Sequence, residues 1–357
     1  MLRQFISGIN VLSKPLTVKS RPIHLQVETT TYCNLKCQSC PRDFVVKKPK
    51  HIDIRLFKSV VDEVMPHQIL INGIGEPLTN PEIVEIIRYL KRLGILVNLV
   101  TNGTMLDNAA KDLVSSGLDT LSVSVDASTA PTYHKVRGQD VFDRVLLGIE
   151  KIVKLKKAQS SPKPYIRTNF VLQSANIPEA AGFVKLSKKL GVDAVYFQPL
   201  SIACELSLRR QILVGNLNYG NFLEALHQIK LESSKQRIPT NVDYILRKST
   251  IFWSHYTGAM MDKSVCIFPW FSSYINIDGD VQACCAFGVQ GKVGILGNIA
   301  KSGKFMDIWN KEPYREFRRN LATGSRPYQI CQECIPRTLK DLFDLSRLLP
   351  GVLKPLR

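Results

Sequence analysis

No stretch of this sequence stays apolar for the roughly 20 residues that a bilayer-spanning helix needs, so no membrane span is expected. Residues 1–21 also lack a continuous apolar core and a small-residue cleavage site, and no signal peptide is read there. Long blocks of one charge are missing too. The chain has 48 Lys and Arg against 30 Asp and Glu, a formal net charge of +18, but the basic residues are spread over 42–50, 151–163, 185–189 and 315–319. Without a basic stripe interleaved with aromatics, nucleic acid is a poor partner. The charge reads first as a solvated surface and second as attraction to an acidic substrate, partner or membrane surface. Nine cysteines in a chain without secretory features fit a reducing compartment, so a cytoplasmic protein is expected.

What is present begins at the first strand-like run. Cys33, Cys37 and Cys40 follow it at Cys-x3-Cys-x2-Cys spacing. Thiolates are soft ligands, and a tight group of them in such a chain reads as a metal or iron–sulfur site. A fourth ligand is lacking nearby: His24 lies inside the strand, and His51 stands eleven residues on, past two prolines and three lysines. A zinc knuckle is therefore the weaker reading. A four-iron cubane held by three cysteines keeps one iron open, as a catalytic zinc site keeps an open position.

At 357 residues and 45% apolar content the chain can bury one large core and a smaller one. Short runs rich in Val, Ile, Leu or aromatics predict strands over 24–29, 68–72, 96–101, 120–125, 165–172 and 194–199. Between them lie helical periods. Asn80-Pro81-Glu82 supplies an N-cap and a first-turn proline, Ile83, Ile86, Ile87 and Leu90 mark one face, and Gly94 ends it. Similar segments run over 107–117, 140–157 and 177–190. This α/β alternation predicts a parallel sheet curled inside its helices, two units short of a closed barrel.

Reactive groups in such folds sit at the C-terminal strand ends. Here those ends read as the cysteine loop, Gly73-Ile74-Gly75-Glu76-Pro77, Thr101-Asn102-Gly103, Ser124-Val125-Asp126, Gln173 and Gln198-Pro199. Residues 201–262 look mostly helical; Trp253, His255 and Tyr256 there are expected to pack rather than to bind substrate. Cys266 follows, then a hairpin turning at Asp278-Gly279-Asp280, then Cys284-Cys285, Cys331 and Cys334. Leu342, Phe343, Leu345, Leu348 and Leu349 give the tail an amphipathic look, suited to docking on its own barrel or, less often, to peripheral membrane contact.

The triad resembles that of the radical SAM superfamily, and Cys266-x12-Gly279-x4-Cys284 with Cys331-x2-Cys334 is similar to a one-cluster version of the SPASM/twitch subgroup. The resemblance implies a partial (β/α)6 TIM-like barrel with a small C-terminal auxiliary-cluster domain, a β-hairpin plus a helix. It divides the chain into an N-terminal arm (1–22), a radical SAM core (23–200), a helical linker (201–262), an auxiliary iron–sulfur domain (263–337) and a tail (338–357).

As the resemblance has it, Cys33, Cys37 and Cys40 hold a [4Fe-4S] cluster whose open iron is chelated by S-adenosylmethionine. Gly73, Gly75 and Glu76 form the loop whose backbone receives the methionine amino group, with Ile74 at the first glycine of the usual Gly-Gly-Glu. Asn102, Ser124 and Asp126 match contacts to ribose and carboxylate, although capping strand ends is an equally ordinary job for them. Arg137 matches a basic position that pairs with the carboxylate. Cys266, Cys284, Cys331 and Cys334 make a four-thiolate auxiliary [4Fe-4S] set; a zinc site on the same cysteines, and Cys285 in place of Cys284, stay open.

The expected activity is reductive cleavage of S-adenosylmethionine to a 5′-deoxyadenosyl radical that takes hydrogen from a substrate carbon. The auxiliary cluster then suits electron acceptance and net oxidation, with a reductant such as flavodoxin or ferredoxin. The substrate is expected to be a small molecule, sugar, tetrapyrrole or lipid precursor, with an acidic one suited to the charge. The rivals are a peptide maturase, for which 22 leading residues are too few to hold a leader-binding domain; a redox-neutral epimerase with Cys204 as hydrogen donor; and a cluster-bearing electron-transfer or scaffold protein without turnover.

Overall fold

The computed structural model describes residues 2–200, 210–258, 264–288 and 292–348. Among them, nine strands form one sheet in the order β6-β5-β4-β3-β2-β1-β7-β8-β9. The six predicted strands appear as β1 (His24–Val27), β2 (Gln68–Ile71), β3 (Leu96–Thr101), β4 (Thr120–Ser124), β5 (Tyr165–Leu172) and β6 (Ala194–Pro199), all parallel to their neighbours. The sheet curls as in a partial TIM barrel, with helices on its outer side.

The alternation along β5 tells the two faces of the sheet apart. Ile166, Thr168, Phe170 and Leu172 are buried, while Tyr165, Arg167, Asn169 and Val171 are half-buried. The first set meets the helix Ala180–Leu190: Phe170 lies 4.9 Å from Phe183 and 5.7 Å from Phe197, and the Thr168 and Ser187 hydroxyls are 2.8 Å apart. Aromatic rings at such separations bury large areas and anchor sheet to helix. The second set therefore faces the lumen. Arg167 sits 5.2 Å over the ring of Tyr196 from β6 and donates to Ser122 of β4 at 2.5 Å.

The helices Ile83–Arg92 and Leu106–Ser115 fall within a few residues of their expected positions. Asn80 accepts from the Glu82 amide at 2.9 Å, so it caps the turn ahead of the first. Helices over Ile54–Val64 and Ala130–Arg137 had no counterpart in the sequence reading. Residues 240–241 shield the exposed edge of β6, where Asn241 exchanges hydrogen bonds of 2.8 and 2.7 Å with the Phe197 backbone.

Two features go beyond the sequence reading. Within the N-terminal arm, 1–22, Leu2–Ser13 is helical, and the chain after it is clasped by C-terminal residues. Val18 exchanges backbone bonds with the Asn310 side chain at 3.0 and 2.9 Å, and Trp309 and Trp270 donate to the Ser20 and Pro15 carbonyls. The C-terminal hairpin also joins the main sheet. Its first strand, β7 (Ser272–Ile275), pairs in parallel with β1, and β8 (Asp280–Gln282) and β9 (Ile295–Asn298) continue the same sheet.

The helix Leu339–Leu348 buries Leu342 in the main core and pairs Asp341 with Lys248 at 2.6 Å and Asp344 with Arg247 at 3.0 Å. That leucine is spent on the chain's own fold rather than on a membrane. No helix among the described residues is long and apolar enough to cross a membrane.

Candidate active site

The C-terminal strand ends meet where β1 runs into the cysteine loop. Cys33, Cys37 and Cys40 are half-exposed, unbridged thiols. Their loop is held from three sides: Gln38 donates to the Val136 carbonyl at 3.0 Å, Gln139 to the Asn34 carbonyl at 2.7 Å, and Arg42 to the Thr31 carbonyl at 2.9 Å. Gly138, at φ +78°, ends the helix Ala130–Arg137 against this loop; a β-carbon there would stand 2.4 Å from the Lys36 oxygen. Burial pushes the Cys37 thiol up to about 11 and also raises Cys33 and Cys40. Cys37 also feels the charge of Cys33 and Cys40, and Cys40 that of Cys33, so a cation or cluster is what would draw them into the thiolate form.

The Gly-x-Gly-Glu-Pro loop packs directly on that loop. A β-carbon on Gly75 would lie 2.2 Å from the Thr30 oxygen, and one on Gly73 2.6 Å from the Glu28 side chain. Glu76 is buried; it accepts from the Leu78 amide at 3.0 Å, from the Thr101 hydroxyl at 2.6 Å and from the Asn102 amide at 2.6 Å. It thus ties the end of β2 to the end of β3. Burial raises its pKa, and those hydrogen bonds work against the rise.

Asn102 extends the tie. Its amide nitrogen donates to Asn34 at 2.9 Å and lies 3.9 Å from the Cys33 sulfur, while its oxygen accepts from the Thr104 amide and hydroxyl. Arg137, matched to a carboxylate contact, forms a buried ion pair with Asp126 at 2.9 Å and donates to the Ser124 carbonyl at 3.1 Å. The other Asp126 oxygen accepts from the Val171 amide at 2.7 Å. Asn102, Asp126 and Arg137 are thus engaged within the chain, framing the strand ends.

Four thiols gather at the other pole. Cys266, Cys284, Cys331 and Cys334 line one cavity with apolar walls that include Phe268, Phe287 and Ile330. Burial pushes Cys331 and Cys334 up to about 12 and raises Cys266 and Cys284. Cys285 does not line that cavity. Among the described residues no three His, Cys, Asp or Glu side chains converge on a single-ion position.

Between the two thiol groups lies a second cavity of about 400 Å³. One wall is Ser39 and Pro41 of the cysteine loop with Gly73 and Ile74; the opposite wall includes Cys266, Cys284 and Cys334. Gln26, Tyr196, Gln198, Tyr274, Cys285 and Arg337 also face it. His255 lines it too, whereas Trp253 and Tyr256 stack on each other at 5.7 Å and Tyr256 accepts from the Leu200 amide. The two aromatics pack as expected, and His255 is buried as well as lining the cavity. Cys204 lies outside the described residues.

The sequence reading missed Glu28, Arg337 and the lumen residues Gln26 and Tyr196. Glu28 accepts from the Ile74 amide at 2.8 Å, and burial pushes its carboxyl up to about 7. The polar alternation His24, Gln26, Glu28, along β1 and just past its end, was the available signal. Arg337 had none.

Comparison with known proteins agrees with this arrangement. The model of the radical SAM superfamily matches residues 27–161, and that of the SPASM iron–sulfur cluster-binding domain matches residues 266–335. The chain is 26% identical over 348 residues to a tungsten-containing aldehyde ferredoxin oxidoreductase cofactor-modifying protein of Pyrococcus furiosus, covering 91% of this chain and 89% of that one. It is 32% identical over 184 residues to a probable GTP 3′,8-cyclase of Saccharolobus islandicus, covering 49% of this chain and 56% of the cyclase. Of solved structures, Streptococcus suis SuiB bound to precursor peptide SuiA superposes with a TM-score of 0.66 at 13% identity, covering 87% of this chain and 69% of that one. The structure of anSMEcpe with bound AdoMet gives 0.60 at 19% identity, covering 94% and 86%. At such identities the likeness is one of fold.

Proposed function

This chain belongs to the radical SAM superfamily and carries a SPASM domain, and from that premise we propose that it oxidises a small molecule held between its two thiol groups. The two domains imply a SAM-binding [4Fe-4S] cluster and an auxiliary cluster. The donors suit them: three thiols share one loop, and four others share one cavity that Cys285 does not line. When bound, these cofactors supply one-electron chemistry that ends in hydrogen abstraction from an unactivated carbon.

In this proposal Cys33, Cys37 and Cys40 would hold the SAM-binding cluster, and Cys266, Cys284, Cys331 and Cys334 the auxiliary one. Glu76 fixes the Gly73–Gly75 backbone against the cysteine loop, and that backbone would receive the amino group of S-adenosylmethionine. Asn102 steadies the Cys33 side of that loop. Asp126 and Arg137 hold the ends of β4 and β5 in place.

The observation that carries the reading is the 400 Å³ cavity lined both by Ser39 and Pro41 of the cysteine loop and by Cys266, Cys284 and Cys334. A substrate lying there is within reach of both, which suits abstraction at one side and electron acceptance at the other. The Pyrococcus furiosus relative is named as a cofactor-modifying protein, which favours a small-molecule substrate over a peptide.

Anaerobically reconstituted protein, reduced and incubated with S-adenosylmethionine, is expected to release 5′-deoxyadenosine. Cys33→Ala, Cys37→Ala and Cys40→Ala are expected to abolish that release, while Cys266→Ala is expected to leave it measurable and to stop net oxidation. Clusters without any deoxyadenosine would leave an electron-transfer protein instead.

A further inference from the structure

The charge of the substrate cavity is one-sided. Among the described residues that line it, Arg337 is the one Lys, Arg, Asp or Glu. Its backbone is pinned, since its carbonyl accepts from the Ile267 amide at 2.9 Å, and its Nη1 donates to the Tyr244 hydroxyl at 3.3 Å. No carboxylate among the described residues forms an ion pair with it. Asp341, whose charge reaches it, is committed to Lys248 at 2.6 Å and to the Thr338 amide and hydroxyl at 2.9 Å.

A second guanidinium stands behind the same wall. Arg167 lies over Tyr196, itself a lining residue, and its Nη1 is buried with no hydrogen-bond partner among the described residues. A buried cation without a counter-ion is costly, and a planar guanidinium is shaped for a carboxylate or phosphate. The lining also includes the rings of Tyr196, Tyr244, Phe252, Phe268 and Tyr274, among polar groups such as Gln26, Asn72 and Gln198. Pockets of roughly 300–1,000 Å³ with apolar walls and a few polar groups suit small molecules.

We infer that the cavity takes a small molecule with a flat apolar body and one anionic group, a carboxylate or phosphate held by Arg337. The inference rests on the proposal that this cavity is the substrate site. Arg337 orients the body across the aromatic rings, so the anionic group fixes which carbon faces the cysteine loop. A guanidinium that served only to offset the nearby thiolates would give the cavity no preference for anions.

The test is calorimetric titration of the reconstituted holoprotein, under anaerobic conditions, with benzoate, phenyl phosphate and the neutral benzyl alcohol. At least one anion is expected to bind tenfold or more tightly than the alcohol, about 1.4 kcal/mol. Benzoate ahead of phenyl phosphate identifies a carboxylate, and the reverse order a phosphate. The preference is expected to vanish in Arg337→Gln and to survive in part in Arg337→Lys, with the alcohol unaffected in both.

Equal binding of anion and alcohol by the wild type overturns the inference. So does an anion preference undiminished in Arg337→Gln, or no binding of any probe at millimolar concentration. Should Arg337→Gln fail to load iron, the wild-type ranking and Arg337→Lys decide, with an unchanged preference in the lysine variant counting against the inference. Deoxyadenosine release, followed on the same samples, separates the two readings: Arg337-dependent anion binding without deoxyadenosine keeps the subsite and removes the radical chemistry, and the opposite pattern does the reverse.

Discussion

Glu28 should make this protein's stability fall as pH rises, and replacing it should remove that fall. The carboxylate is buried at the end of β1, between the loop at Ile74 and the turn at Ile277. Burial lifts it from 4.5 to about 7, against the pull of hydrogen bonds from the Ile74 and Ile277 amides. Between those values the folded chain keeps a proton that the unfolded chain has lost. Its contribution to stability is therefore full below about pH 4.5 and lost as pH rises through about 7.

At about 1.36 kcal/mol per pKa unit the whole window is worth roughly 3.4 kcal/mol, and the part between pH 5.5 and 8 roughly 2 kcal/mol. Glu28→Gln keeps an oxygen for the Ile74 amide, now accepted at 2.8 Å, and cannot titrate. Any acceptor lost to Ile277 is a constant offset, so the slope is the readout. Thermal melts of the two holoproteins from pH 5.5 to 8 should diverge by about 2 kcal/mol, roughly 3 °C for a chain of this size, with the variant gaining at high pH. Parallel profiles would refute the argument, because they would mean that Glu28 is as well solvated folded as unfolded.

Other consequences are as direct. Cys284→Ser should bring iron and sulfide down from about eight to about four per chain, whereas Cys285→Ser, outside the four-thiol cavity, should leave both unchanged by metal analysis. Asp126→Ala strands the buried Arg137 and should cost about 3–5 kcal/mol in denaturant unfolding, with part recovered when Arg137 is also replaced by leucine. Gly75→Ala drives a β-carbon to 2.2 Å from the Thr30 oxygen, so equilibrium dialysis should show S-adenosylmethionine held at least tenfold more weakly. Phe183→Ala empties the contact with Phe170 and Phe197 and should cost about 3–5 kcal/mol, read as a lower denaturation midpoint.

Much of the site was legible because its signals are local. A strand of five or six residues announces itself by its side chains, and six such strands came within two residues of their observed ends. The positions of Glu76 and Asn102 at strand mouths followed from the same pattern. Their partners did not. Glu76 binds residues 25 and 26 positions away, and Asn102 reaches 68 positions back to Asn34. Asp126 was legible as a strand-mouth residue and Arg137 only through the family resemblance, but neither as the other's partner, since an ion pair depends on how a helix returns to the sheet.

The spacing of seven cysteines, the order of strands and helices, and the glycines that let two loops touch were set by the sequence alone, since each depends on neighbours a few residues apart. The pairing of β1 with β7, residues 24–27 against 272–275, was decided only in three dimensions. So were the separation of Cys284 from Cys285 and the arrival of Arg337 at the wall of the barrel cavity. Contacts across some 250 residues leave no trace in local periodicity; they form because the open edge of β1 needs hydrogen-bonding partners, and β7 supplies them.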